Sequence, residues 1–320
     1  MIHLRYILKG FVVISVVVCI AVILSCRGEE AMNVNQAQRV VRKAVGGGRW
    51  FPSNPAKLKA MIAEFVDQAP VSPVTGRVVA AMSPHAGYEC SGRVAGYVFR
   101  VLRDQAQQGD APETVVILGL SHQAGFPGVA LMDGDAISTP LGETSLDQEA
   151  AALMAATSAR IRLDYKPHYG EHSAENQVPF VQAVLPNARL VIGLIGDHDP
   201  QTIKDMASAL NALAQKKKIA VIASSDMLHD PDYKLVTQTD RQSLKILAAM
   251  QSGKILEDWS YRQQTFCGVA AVVVAMNFAR AQGCQEGTVL YYRNSGDYFP
   301  ESRGQWVVGY GAVVFAAPGQ

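Results

Sequence analysis

Net charge is almost absent from this chain: its 29 Lys and Arg stand against 28 Asp and Glu, leaving +1 over 320 residues. No field of one sign is available to hold nucleic acid or another polyanion, and the short "QKKK" at 215–218 reads as a solvated helix end. Cysteine is scarce, with five residues. Cys19 and Cys26 belong to an apolar N-terminal stretch. Cys90, Cys267 and Cys284 remain, an odd number that fits no disulfide scaffold and leaves at least one thiol free or bound to something else. Internal repeats, low-complexity runs, a nucleophile elbow and a zincin motif are all missing. The run Gly46-Gly47-Gly48 has neither a following Lys-Ser/Thr nor a preceding strand, so it reads as a mobile turn and not a phosphate loop.

What is present begins with "MIHLRYILKGFVVISVVVCIAVILSC". Arg5 and Lys9 precede an uncharged run of 17 residues, Gly10 to Cys26, the layout of a secretory signal. "ILSC" resembles a bacterial lipobox, in which Cys26 becomes the lipidated N-terminus; the alternative is an uncleaved signal anchor. Either reading expects a protein of the cell envelope, held to a bacterial membrane on its extracytoplasmic side. The expected division is a signal over 1–25, a polar tether over 26–43, and one domain over 44–318.

Within that domain short apolar runs alternate with helical patterns. "RVVAAM", "TVVILGL", "GVALM", "RLVIGLIG" and "KIAVIASS" read as buried strands, and "TVLYYR" and "WVVGYGAVVFAA" finish the chain as strands. "SLDQEAAALMAAT" reads as a helix with Ser145 at its N-cap, and Pro179 should kink "HSAENQVPFVQAVL" or mark its late start. Continuous apolar strands separated by helices predict an α/β sandwich, with a central, mostly parallel sheet covered on both faces.

In open α/β sheets, ligands gather beyond the carboxyl ends of the strands. His85 follows "RVVAAM" by three residues, His122 follows "TVVILGL" by two, and Asp226 comes directly after "KIAVIASS", with His229 three residues later. Each alone has a plain explanation as a turn or cap residue; three on three strands point to a shared site. Cys267 opens the long apolar helix "GVAAVVVAMNFARAQG", where free N–H groups favour a thiolate. Thiolate with imidazoles suits a transition metal and not magnesium or calcium. Glu171 and His172 precede a helix, with Glu171 available as a cap, an acid–base group or a partner orienting an imidazole. His168 and His198 read as surface residues.

The ordered segments "SPHAGYECSGRVAGYVFR", "VVILGLSHQAGFPGVAL", "TPLGETSLD", "EHSAENQVPFVQ", "ASSDMLH" and "FCGVAA" resemble the Memo family, whose prokaryotic members are also called AmmeMemoRadiSam system protein B. "GGGRWFPSNP" resembles its opening motif, and the resemblance runs from about residue 44 to 316. It implies the fold of class III extradiol dioxygenases and a metal site at His85, His122 and Cys267. It also implies that Asp226 and His229 line the same pocket, beside Glu171 and His172. Family members have been linked to iron or copper and to redox roles, and animal members to phosphopeptide binding. Gln123 departs from the pattern, standing where a second His is common; so do Leu228, Asp230 and Cys90.

The leading expectation is a redox protein with Fe(II), or copper, at His85, His122 and Cys267. Its open positions would take O2 or a small substrate, with His229, Asp226, Glu171 and His172 as catalytic acid–base groups. Zinc hydrolysis ranks below it, since His2Cys also suits zinc. A third possibility is a membrane-tethered, non-catalytic module whose pocket captures a peptide or small molecule.

Overall fold

The computed structural model describes residues 39–319. Their compact unit begins at Val41. In chain order the strands are β1 (Val41–Lys43), β2 (Arg77–Ser83), β3 (Thr114–Leu120), β4 (Val129–Leu131), β5 (Ala136–Thr139), β6 (Gly142–Ser145), β7 (Ile161–Leu163), β8 (Arg189–Ile195), β9 (Ile219–Ser224), β10 (His229–Asp230), β11 (Gly287–Asn294) and β12 (Val307–Ala317). The α-helices are α1 (Pro55–Asp67), α2 (Tyr88–Gln105), α3 (Gln148–Ala155), α4 (Val178–Val184), α5 (Pro200–Ala214), α6 (Tyr233–Ala248), α7 (Ser252–Asp258), α8 (Val269–Ala281) and α9 (Ser295–Tyr298).

The main sheet runs β10-β12-β2-β9-β3-β8-β4-β7, with β11 also paired to β12. Its centre, β2-β9-β3-β8, is parallel. Antiparallel pairs attach β12 on one side and β4 on the other. Side chains alternate along each central strand. Val79, Val116, Leu118 and Val221 face the layer of α8, α5 and α3; Val78, Val115, Ile117 and Ile222 face α1, α2 and α4. This is the expected α/β sandwich, and the near-continuous apolar strands follow from burial on both faces.

Register decides where the polar residues arrive. Met82 and Leu118 are each level with Ala223, the one on β2 and the other on β3. From that common level the chain reaches His85, Asp226 and His122 within three or four residues.

Local expectations were revised at three places, and at Pro179 one of two stated alternatives was decided. Ser145 ends β6, and Asp147 caps α3 instead, its side chain accepting from Ala150 N at 3.2 Å. Pro179 lies in the first turn of α4, after a 3-10 turn over Glu175–Gln177, so the helix starts late instead of kinking. The Gly46–Phe51 loop is tightly tied: Trp50 N and Phe51 N donate to Gly46 O, and Gly48 N donates to Phe51 O. A Cβ on Gly46 would lie 2.4 Å from the Phe51 ring, so only glycine fits there. β1, in the stretch expected to be tether, pairs with β5, and β5 with β6, as a small second sheet.

Two histidines read as surface residues are not. His198 is half-buried with its ring 4.3 Å from that of Trp259. His168 is buried, and its Nε2–H donates to Ala130 O of β4 at 3.0 Å. Burial lowers the His168 pKa from 6.5 to about 4. As pH falls the unfolded chain therefore takes up this proton first, so stability is intact above about 6.5 and drains away towards 4. The expected loss is about 2–3 kcal/mol between pH 7 and 4.5. His168→Gln, which keeps a donor for Ala130 O, should shed that part of the slope. Urea denaturation at both pH values tests this; equal losses in parent and variant would refute it.

Candidate metal centre

His85 leaves the end of β2 through Pro84 and is 2% exposed. Its main chain is fixed by Asp226, whose Oδ1 accepts from His85 N at 2.8 Å and Ala86 N at 3.2 Å. Asn176 Nδ2 donates to His85 O at 2.7 Å and Gln177 Nε2 to Pro84 O at 2.9 Å. The ring's Nδ1 lies 3.2 Å from Ser224 Oγ. That hydroxyl spends its proton on Ser173 O at 2.5 Å, so it accepts from the ring. The proton of His85 is thereby assigned to Nδ1. The Nε2 lone pair is left facing Cys267 Sγ, 3.4 Å away.

His122 is oriented by the same logic. Its Nδ1–H donates to Glu171 Oε1 at 2.9 Å and its backbone N–H to Glu171 Oε2 at 2.6 Å, which frees Nε2. Glu171 is 2% exposed and also accepts from His172 N and Ser173 N, both at 2.8 Å. Burial alone would raise this carboxyl, but the His122 ring and these N–H groups hold it down at about 2. A carboxylate with four donors is an orienting anion, not a proton donor. Of the roles open to Glu171 (cap, acid–base group or partner orienting an imidazole), its hydrogen bonds to His122 favour the last.

Cys267 precedes the Gly268 N-cap of α8. Its Sγ accepts from Asp226 N at 3.2 Å. The helix start does not produce a standing thiolate: burial, then the Asp226 carboxylate, push the thiol well above its ordinary pKa. Desolvation outweighs the helix dipole here, so the thiol would lose its proton to a bound cation and not to water.

His85, His122 and Cys267 each offer a ligand atom within 4.8 Å of the others. A second trio, His122, Glu171 and His172, meets the same distance criterion. Ring geometry separates the two. The His85 and His122 planes meet at 89°, so their in-plane lone pairs can converge on one ion. His122 and His172 are stacked at 16° with centroids 4.7 Å apart, so their lone pairs run in parallel planes and do not converge. In a metal site with bonds of about 2.0–2.3 Å, nitrogen and sulfur sit roughly 3.5 Å apart, close to the existing His85–Cys267 contact. The first trio fits a transition metal; the second does not without ring rotation.

His172 completes a column of rings, stacked on Trp50 at 4.0 Å and 7°. Burial, then the His85 and His122 rings, bring its pKa down to about 4. His229 stands apart from both trios: it lies on β10, with Nδ1 donating to Met227 O at 2.9 Å and its ring 6.0 Å from that of Trp306. When protonated it lowers the His85 pKa. Gln123 turns away, donating to Tyr169 O. Trp50, Ser224, Asn176 and Gln177 were missed as supporting residues. The first is a lone aromatic in a glycine loop, and the other three are buried polar residues, Ser224 at the end of a strand and Asn176 and Gln177 on the lead into a helix, a pattern that would have marked them.

The family described as Memo-like protein matches this chain over residues 42–314. A MEMO1 family protein of Methanopyrus kandleri is 32% identical over 285 residues, covering 86% of this chain and 98% of its own. One from Archaeoglobus fulgidus is 33% identical over 270 residues, 84% of this chain and 97% of its own. One from Ignicoccus hospitalis is 30% identical over 291 residues, 87% and 100%. These findings correct the expected location, a lipid-anchored protein of a bacterial envelope. The similar proteins are archaeal and are spanned almost end to end, while the family match begins only at residue 42. Among the described residues no helix is long and apolar enough to cross a membrane. The lipobox and signal readings fall on residues 1–38, outside those described. All seven residues singled out from the sequence, from His85 to Cys267, lie inside the matched span, and the chain belongs to the Memo-like protein family.

Proposed function

We propose that this Memo-like protein is a metal-dependent redox protein that holds Fe(II), or copper in its place, between His85, His122 and Cys267 and acts on a small molecule or peptide segment. The observation that carries this reading is the pair of perpendicular imidazoles with Nε2 left free, one of them already 3.4 Å from a thiol. Bound iron or copper would supply one-electron chemistry and the coordination positions that three protein ligands leave open.

The chain's own residues divide the remaining work. Glu171 keeps His122 in the tautomer that presents Nε2, and Ser224 does the same for His85. Asp226 fixes the His85 main chain and donates its own N–H to Cys267 Sγ. That N–H favours the thiolate once a cation draws off the proton. His172 and His229 are the proton carriers in this reading. His172 is neutral near pH 7 and lies against both metal-facing rings. His229 keeps Nε2 available because Nδ1 is committed to Met227 O. Substrate would approach across His122, whose side chain is 38% exposed.

Anaerobic purification of the full chain followed by elemental mass spectrometry should find close to one iron or copper per chain. His122→Ala and Cys267→Ala should each lose most of it. Stoichiometric zinc with no iron or copper would replace the redox reading by a hydrolytic one, and a protein that neither retains nor takes up metal would leave a capture module. Glu171→Gln should weaken metal binding by about 10–100-fold with the fold intact. Cys267→Asp should keep some metal but shift its reduction potential; an unchanged potential and affinity would rule out thiolate ligation.

A further inference from the structure

A further buried carboxyl lies beneath this site, on the far side of the turn that carries Asp226 and His229. Asp240, on α6, is 0% exposed. Among the described residues it has no Lys or Arg partner. Its Oδ1 accepts from Leu228 N at 3.1 Å and its Oδ2 from Tyr292 Oη at 2.8 Å. Tyr292 lies on β11, and its hydroxyl also meets Asn294 Nδ2 at 3.4 Å. Burying a carboxyl without a cation is costly, and burial raises this one to about 7. A position that served packing alone would be filled more cheaply by an apolar side chain.

The backbone around it is shaped to admit the carboxyl. A Cβ on Gly309 of β12 would lie 1.7 Å from Asp240 Oδ2, so the strand can pass only as glycine. Gly309 in turn holds the same turn as Asp240 does: Met227 N donates to Gly309 O at 2.8 Å, and Gly309 N to Leu228 O at 3.0 Å. Leu228 N is thus the third tether of a segment whose two flanks reach the site. On one flank Asp226 clamps the His85 main chain and donates to Cys267 Sγ. On the other, the imidazole of His229 hangs from Met227 O.

We infer that Asp240 is a positioning residue of the metal site: through Leu228 N and Gly309 it sets the Met227–His229 turn, and with it the places of Asp226 and His229. This rests on the reading of His85, His122 and Cys267 as a metal site. The inference also says which replacement serves. Asn retains an acceptor for Leu228 N and a polar group for Tyr292, so Asp240→Asn should hold the turn, whereas Asp240→Ala should release it.

The test uses the full chain, with Co(II) as the metal probe and, in metal-free protein, the ring resonances of His229 by NMR. Asp240→Ala should bind Co(II) about tenfold more weakly with altered d–d bands, and Asp240→Asn should restore both. The His229 ring signals should move in Asp240→Ala and return in Asp240→Asn. A folded Asp240→Ala protein with parental Co(II) affinity, spectrum and His229 signals would overturn the inference. Failure of the parent to take Co(II) would instead overturn the metal reading. The His229 arm would then decide on Asp240 by itself. Should Asp240→Ala not fold, Asp240→Leu, which fills the same space but offers Leu228 N no acceptor, should displace the His229 signals in the same direction; unmoved signals there would overturn it.

Discussion

Three parallel strands lying side by side, β2, β9 and β3, are the constraint on which the rest of the molecule depends. Strands in one ladder sit about 4.8 Å apart, and parallel strands end on the same edge of the sheet. Residues just past those ends are therefore neighbours whatever their distance in sequence. Asp226, beyond β9, stands between the two and can reach the His85 backbone at 2.8 Å, while the His85 and His122 rings close to 5.3 Å. Burial of both sheet faces keeps the strands level, and the level sets the site.

Around that edge the protein gathers imidazoles that repel one another when charged, and burial favours the neutral form of two of them. His85 and His172 are both lowered, first by desolvation. Each metal-facing ring has its Nδ1 proton committed to an oxygen, the Ser224 hydroxyl for His85 and the Glu171 carboxylate for His122. The consequence is a pair of lone pairs pointed at common space. Glu171 itself is stabilised by four N–H donors, two from His122 beyond β3 and two from its own turn, so one anion organises His122, His172 and Ser173 together. The thiol adds the third donor from outside the sheet, on the lead into α8, tied to the Asp226 backbone. Beneath, Gly309 and Asp240 brace the turn from which Asp226 and His229 project.

Much of this was legible in the residues. Strand and helix periodicities located the central elements because burial on two faces leaves an unmistakable apolar run. The polar residues at 85, 122 and 226 stood out because a strand end in such a sheet is where ligands go. Less legible was anything set by a neighbour distant in the chain. His168 looked like any loop histidine, yet it is sealed under β4. Cys267 looked like a helix-start thiolate until desolvation was counted. The Gly46–Phe51 loop looked mobile because its tethers are main-chain bonds, which no side-chain pattern announces.

The sequence by itself determined the layered α/β architecture, the order of its central elements, and the presence of imidazole, thiol and carboxylate at strand and helix ends. Those follow from local periodicity and from residue chemistry, which each segment carries alone. Tertiary structure decided the angles and the proton positions: which two rings stand perpendicular, which two stack, which nitrogen is left free, and which carboxylate orients and which braces. Those depend on the crossing of segments about 140–180 residues apart, such as His85 with Asp226 and Cys267. Directional lone pairs and desolvation act only once those segments have met.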